Sequence, residues 1–270
     1  MVYRTLSTAE MADIRARILY EDNHLLVMNK RPGEIVQGDK TGDEPLSETL
    51  KAYIAARDGK PGQVFMGVPH RLDRPVGGVC VFAKTSKALE RLAALFRDGS
   101  AHKTYWALCC KAPGKQTATL ENWLLRNEKA NKTYIVKEGT PGAKLARLIY
   151  THISDTDRYH LLEVQLLTGR HHQIRCQLAG IGCPIKGDLK YGAPRSNRGG
   201  GICLHARQIT FLHPVRKEMM TVTAPLLPES EFPGTVAPGP GRLAGEFLEH
   251  RAEGLDGLAS GEHRQVDDPQ

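Results

Sequence analysis

Residues 70–83 constrain the fold of this chain more than any other stretch. The charged segment His70-Arg71-Leu72-Asp73-Arg74-Pro75 ends in Val76-Gly77-Gly78 and runs straight into the apolar Val79-Cys80-Val81-Phe82-Ala83. A polar loop closed by a glycine pair ahead of a short apolar run reads as a loop–strand junction. Asp73, between two arginines, lies in a positive field there, and nearby opposite charge favours an ionised carboxylate. Such an acid beside phosphate-binding groups suits chemistry on a nucleic acid. From the nonapeptide alone, a surface Asp paired with its sequence neighbours is an equally good reading.

Around that junction the pattern gives more strand than helix. Residues 18–30 read as strand, polar turn, strand, and further strands are predicted over 103–110, 149–153, 160–167, 203–211 and 219–224. Helices are predicted over 9–19, 46–57 (opened near Ser47), 86–97 with Ser86 as N-cap, and 171–179 with Thr168 as N-cap. Long loops cover 31–45 and 192–201. The fold class is therefore α+β, with residues 1–17 as an N-terminal extension, 18–228 as the folded domain and 229–270 as a Pro/Gly-rich tail expected to be disordered.

Charge sharpens the choice of partner. Residues 229–270 hold nine acids and three Lys/Arg, a local −6, so the preceding 228 residues carry +13 of a chain whose net charge is +7. A body that basic favours a polyanion through counterion release. No apolar run approaches the ~20 residues needed to span a bilayer, and no leader is visible, which predicts a cytoplasmic protein. The six cysteines show no Cys-x-x-Cys spacing, so reduced thiols without metal are expected.

Two further clusters carry chemistry. Thr168-Gly169-Arg170-His171-His172-Gln173-Ile174-Arg175 opens a predicted helix on which His171 and Arg175 share a face and Ile174, Leu178 and Ile181 pack inward. His-to-RNA or His-to-acid contacts are favoured there over metal binding. His102-Lys103-Thr104-Tyr105-Trp106 sets an aromatic pair behind a basic pair, an arrangement that suits an unstacked base. Taken alone, simple alternation of Tyr105 and Trp106 between core and surface explains that pair better.

Taken in order, these blocks resemble the RluA-type RNA pseudouridine synthase family. The resemblance rests on His70–Arg74 with Phe82-Ala83-Lys84-Thr85, on Lys103-Thr104-Tyr105, on Thr168–Arg175 continuing through Gly182–Asp188, and on Leu204-His205-Ala206 and Phe211-Leu212-His213-Pro214. It implies a mixed, largely antiparallel bent sheet with flanking helices around a catalytic cleft. It also implies a cofactor-free, metal-free isomerase that converts uridine to pseudouridine in structured RNA, ribosomal or transfer. By the same resemblance Asp73 is the catalytic acid that cuts the bond from uracil nitrogen 1 to the ribose, and Arg175 is its ion-pair partner. Tyr105 packs against the flipped uracil and helps remove the carbon-5 proton. Arg71, Arg74, Lys103, Arg170, His171 and Gln173 are the expected RNA contacts, with Arg71 filling the space the base vacates.

The chain departs from the family at Val76-Gly77, where many members carry two hydroxyl residues, and at Arg31-Pro32, where the proline is displaced by one. No accessory RNA-binding module is expected in the residues ahead of the first strand, nor any obligate protein partner, and the resemblance suggests a monomer. Two rivals remain: an RNA-binding protein that keeps the fold without turnover, and a metal-dependent phosphodiesterase, for which no His/Asp ligand spacing is visible.

Overall fold

The apolar run behind Asp73 forms β3 (Gly77–Ala83), and all seven of its residues are buried. A strand covered on both faces has no solvent side to alternate toward, which is why the run reads as continuous. In the computed structural model, which describes residues 3–39, 41–59 and 62–232, β3 lies between β2 (Leu25–Lys30) and β9 (Leu204–Leu212). The sheet is completed by β1 (Ile18–Glu21), β4 (His102–Cys109), β5 (Thr117–Asn127), β6 (Lys132–Val136), β7 (Lys144–Asp155), β8 (His160–Leu166) and β10 (Met219–Thr223). The spatial order is β1-β2-β3-β9-β4-β8-β7-β5-β6, with β10 paired to β9. Every pairing is antiparallel except β3 with β9, so the sheet is mixed and largely antiparallel as expected.

That parallel pairing depends on a glycine. Gly78 has φ +112°, and a Cβ there would lie 2.3 Å from the Ala206 carbonyl oxygen. Only glycine combines this backbone with so close an approach.

Four helices flank the sheet: α1 (Thr8–Arg17), α2 (Leu46–Asp58), α3 (Ser86–Asp98) and α4 (Gln173–Gly180). Helix α1 starts with a Ser7–Glu10 capping box and buries Ile14 and Arg17. Leu50, Tyr53 and Ile54 form the buried stripe of α2, which Pro45 rather than Ser47 precedes. The cap of α3 is Thr85, whose hydroxyl accepts from Ala88 N, so the predicted Ser86 is one residue late.

Strands β5 and β6 are absent from the pattern of predicted strands. Helix α4 begins at Gln173, not His171, and its N-cap is His172 in a left-handed conformation. The Thr168 hydroxyl instead donates to Gln173 Oε1. Ile181, expected inside, is the C-cap of α4 and is 40% exposed, whereas Ile174 and Leu178 are buried. Of the segment 229–270, residues through 232 pack on the domain, with Glu231 accepting from Gly199 N at 2.9 Å, and 233–270 lie outside the described residues. No helix among the described residues is long and apolar enough to cross a membrane.

Candidate active site

Asp73 begins the turn that leads into β3: Val76 N donates to its carbonyl at 3.0 Å. The turn is tied down from several sides. Gly33 N and Ile202 N bind the carbonyls of Arg74 and Pro75 at 2.8 and 3.0 Å. The fully buried Lys30 ammonium reaches the carbonyls of Arg31, Arg74 and Val76 at 2.8, 3.1 and 2.7 Å. Burial lowers Lys30 to about 8, against the opposing pull of Glu34, Cys80 and Asp73. Three carbonyl dipoles around one cation are a local solution to burying a lysine without a carboxylate.

Asp73 keeps its side chain 28% exposed, so it is accessible to a ligand while facing a buried partner. That partner is Arg175 of α4, whose Nη1 lies 3.2 Å from Asp73 Oδ2. The other edge of the same guanidinium is gripped by Asp188, Nε to Oδ2 at 2.7 Å and Nη2 to Oδ1 at 2.9 Å. Burial opposes the charge on Arg175, but Asp188 and Asp73 outweigh it and hold the guanidinium above its ordinary value. The field on Asp73 therefore comes from a residue far away in sequence. Its neighbours point elsewhere, with Arg71 exposed and Arg74 paired to Asp43 at 2.6 Å.

Tyr105 on β4 is buried, 8% exposed. Burial, with added repulsion from Asp73 and Cys80, pushes its hydroxyl well above the ordinary phenol value. The site therefore holds a protonated tyrosine.

His171 and His172 stack face to face with centroids 3.8 Å apart. His172 has φ +50°, which turns its ring back over its neighbour. Its Nε2 lies 3.6 Å from Asp73 Oδ2, and its Nδ1 is 3.0 Å from the Tyr191 hydroxyl.

The chain matches the family model described as RNA pseudouridylate synthase over residues 24–180. It belongs to that family. Its relatives include the ribosomal large subunit pseudouridine synthase C of Vibrio cholerae, 30% identical over 224 residues that make up 81% of this chain and 68% of the relative. Ribosomal large subunit pseudouridine synthase D of Zymomonas mobilis is 32% identical over 216 residues, 76% of this chain and 68% of that one. Among solved structures, human RNA pseudouridylate synthase domain containing 4 superposes with TM-score 0.69 at 25% identity, covering 82% of this chain and 94% of its own. This chain is an RNA pseudouridine synthase, an isomerase with an RNA substrate.

Of the residues singled out from sequence, the pseudouridine synthase fold brings Asp73, Tyr105 and Arg175 together. Lys103 is half-buried, with its ammonium 5.8 Å over the Phe96 ring, and desolvation lowers its affinity for a proton. Arg170 is exposed and uses Nε to bind the Leu145 carbonyl at 2.9 Å. Gln173 does not face a ligand. It is 3% exposed, and its amide is taken by Thr168, Arg170 N and the Arg147 carbonyl, so it braces the loop before α4.

No part in the site was expected for Lys30, Asp188 or Tyr191, and none for His172 beyond a contact to RNA or an acid. Asp188 fell inside a family block without a role, and Lys30 ends an apolar strand where a lysine is normally exposed. Away from the site, a bulge at Ile153 puts His152 and Asp155 on one face opposite His160. Asp155 Oδ1 is 2.7 Å from His152 Nε2 and 2.5 Å from His160 Nδ1, so these three groups satisfy one another.

Proposed function

We propose that this pseudouridine synthase modifies uridine in structured ribosomal RNA, with Asp73 as the acid that opens the glycosidic bond. The observation that carries this reading is the ion pair from Asp73 to a buried arginine whose other edge is fixed by Asp188. A carboxylate oriented in this way, with a buried aromatic ring beside it, is suited to meet the sugar of a base taken out of its stack. Ribosomal RNA is favoured over transfer RNA because the named relatives act on the large ribosomal subunit.

In this mechanism the target nucleotide is extruded from its helix, and Arg71, exposed two residues before Asp73, fills the gap. The uracil packs on Tyr105. Asp73 promotes cleavage of the nitrogen-1 bond, the ring turns, and carbon 5 joins the ribose. The carbon-5 proton then leaves to water. Arg74, Lys103, Arg170 and His171 contribute phosphate and base contacts, and the basic body supplies the long-range attraction. Residues 18–228 are the catalytic unit, acting as a monomer in the cytoplasm without metal or cofactor.

The test is tritium release from ribosomal RNA labelled at uridine carbon 5 and made without pseudouridine. Wild-type release with none from Asp73→Asn supports the assignment. Release by both proteins removes Asp73 from the chemistry. RNA binding without release by either returns the chain to the non-catalytic reading.

A further inference from the structure

Two side chains approach Asp73 from the start of α4, Arg175 and His172, and one residue touches both. The Arg175 guanidinium lies 5.1 Å over the Tyr191 ring. The His172 ring meets Tyr191 edge-on at 81°, with centroids 5.6 Å apart.

The Tyr191 hydroxyl accepts the backbone N–H of Thr133 at 2.8 Å. Its own hydrogen is therefore available to His172 Nδ1, 3.0 Å away. A ring nitrogen that accepts carries no proton, so a neutral imidazole held in this way bears its hydrogen on Nε2. The ring is neutral, because burial first, then Arg175 and His171, lower His172 to about 2. Nε2 is the nitrogen that faces Asp73 Oδ2 at 3.6 Å.

The ring plane is fixed independently of Tyr191. His172 stacks on His171, whose Nδ1 and carbonyl each lie 2.9 Å from the Thr133 hydroxyl. What Tyr191 adds is the choice of nitrogen. With the proton on Nδ1, the Nε2 lone pair would face a carboxylate oxygen, and the contact would turn from attractive to repulsive.

We propose that Tyr191 is a positioning residue that, through its hydroxyl, locks His172 in the Nε2–H form and so presents a neutral donor to the reacting carboxylate. The inference rests on Asp73 being the catalytic acid. Oδ2 then has two donors of different kinds, the cationic Nη1 of Arg175 and the neutral Nε2 of His172, which leaves Oδ1 for the nucleotide. A separation of 3.6 Å is longer than a hydrogen bond. A small carboxylate rotation closes it, and such contacts commonly tighten only when substrate is bound.

Long-range proton–nitrogen correlation spectra of the histidine rings in the full chain test the tautomer directly. The wild type is expected to show His172 as Nε2–H, and Tyr191→Phe to shift it toward Nδ1–H or a mixture. The phenyl ring still supports Arg175, so kcat should fall about tenfold, the scale of one lost hydrogen bond, with KM within about twofold. His172→Gln, with a fixed N–H near the Nε2 position, should keep more activity than His172→Ala and make the enzyme insensitive to Tyr191→Phe. That pair of His172 variants decides the matter if Tyr191→Phe fails to fold.

Nδ1–H in the wild type overturns the proposal, as does an unchanged tautomer with wild-type kcat in Tyr191→Phe. Equal loss in His172→Gln and His172→Ala also overturns it. Asp73→Asn measured alongside separates the two levels. An active Asp73→Asn removes the catalytic assignment, whereas an inactive one beside an unaffected Tyr191→Phe removes only the role of Tyr191.

Discussion

Asp188 never reaches Asp73, yet it sets where that carboxylate's partner can be. A guanidinium is planar, so gripping Nε and Nη2 leaves Nη1 one direction to donate. Asp188 is 1% exposed, and its two bonds to Arg175 measure 2.7 and 2.9 Å. Lysine has a single point charge and cannot bridge both acids. Arg175→Lys should therefore lower kcat at least ~100-fold and cost about 3 kcal/mol of stability, through a buried acid left partly unpaired. Tritium release and urea unfolding measure the two effects, and a variant with more than half of wild-type turnover would show that the planar bridge is dispensable. Lys30→Met should behave differently. It removes the donor to the Arg31 carbonyl and to two carbonyls of the Asp73 turn, Val76 and Arg74, of which Arg74 keeps Gly33 N, so stability should fall by about 2–4 kcal/mol, with kcat reduced in the fraction that remains folded. The sequence made Asp73, Tyr105 and Arg175 visible because each stands in a distinctive local string. It could not show Tyr191 or Lys30, whose parts depend on carbonyls and hydroxyls brought in by remote segments.

The one parallel contact among the described residues, β3 against β9, sets the position of the turn that carries Asp73. Gly78 and Gly99 separate space from backbone strain at the level of elements. Both have positive φ, +112° and +84°, but a Cβ at Gly78 would meet the Ala206 backbone at 2.3 Å, whereas one at Gly99 would meet open space. Gly99→Ala should cost about 1–2 kcal/mol, the left-handed penalty alone. Gly78→Ala should cost well over ~3 kcal/mol or abolish folding, since β3 and β9 would have to part. Equal melting temperatures for the two variants would mean that β9 yields easily and that the parallel pairing is not what seats the turn. Strands β2 and β3 were legible through their apolar runs, residues 25–28 and 79–83. Strands β5 and β6 were not: Thr117–Asn127 buries only Leu124, and Lys132–Val136 only Thr133. Paired at the sheet margin, they have little apolar patterning to display. Yet Thr133 of β6 holds the His171–His172 pair, so the least legible element supports part of the site. The left-handed backbone of His172 was equally hidden, because nothing in the string around it demands positive φ.

Across the whole molecule, buried neutral histidines make stability depend on pH in a window that a residue count does not reveal. His70 accepts from Val81 N through Nε2 at 2.9 Å and stacks on Phe96 at 4.3 Å, and burial, then Lys103, lower it to about 3. His172 is lowered to about 2 and His205, 1% exposed, to about 4, in both cases first by burial. An unfolded chain protonates all three near pH ~6.5, the ordinary histidine value. Between that value and the lowered folded values, the unfolded state binds more protons, so stability rises with pH and is lost as pH falls. Each histidine contributes at most about 1.4 kcal/mol per pH unit, and the three together at most about 4 kcal/mol per unit once the unfolded chain is fully protonated. Asp22, lowered to about 2 despite burial by its bonds to His24 N, Tyr20, Leu25 N and His213, loses its stabilising effect only below the ordinary aspartate value. The histidines therefore govern the range from about pH 6.5 to about 4. Urea unfolding at half-unit steps from about pH 7.5 to 4.5 should give a shallow slope at the top of the range that steepens below about pH 6.5 to more than one proton's worth. His205→Gln, which keeps a donor near the Ala224 carbonyl, should remove about one proton from that slope. A flat profile down to about pH 5 would mean that these histidines take up protons in the folded state as readily as in the unfolded one, and the neutral Nε2–H form of His172 beside Asp73 would then prevail only above about pH 6.5.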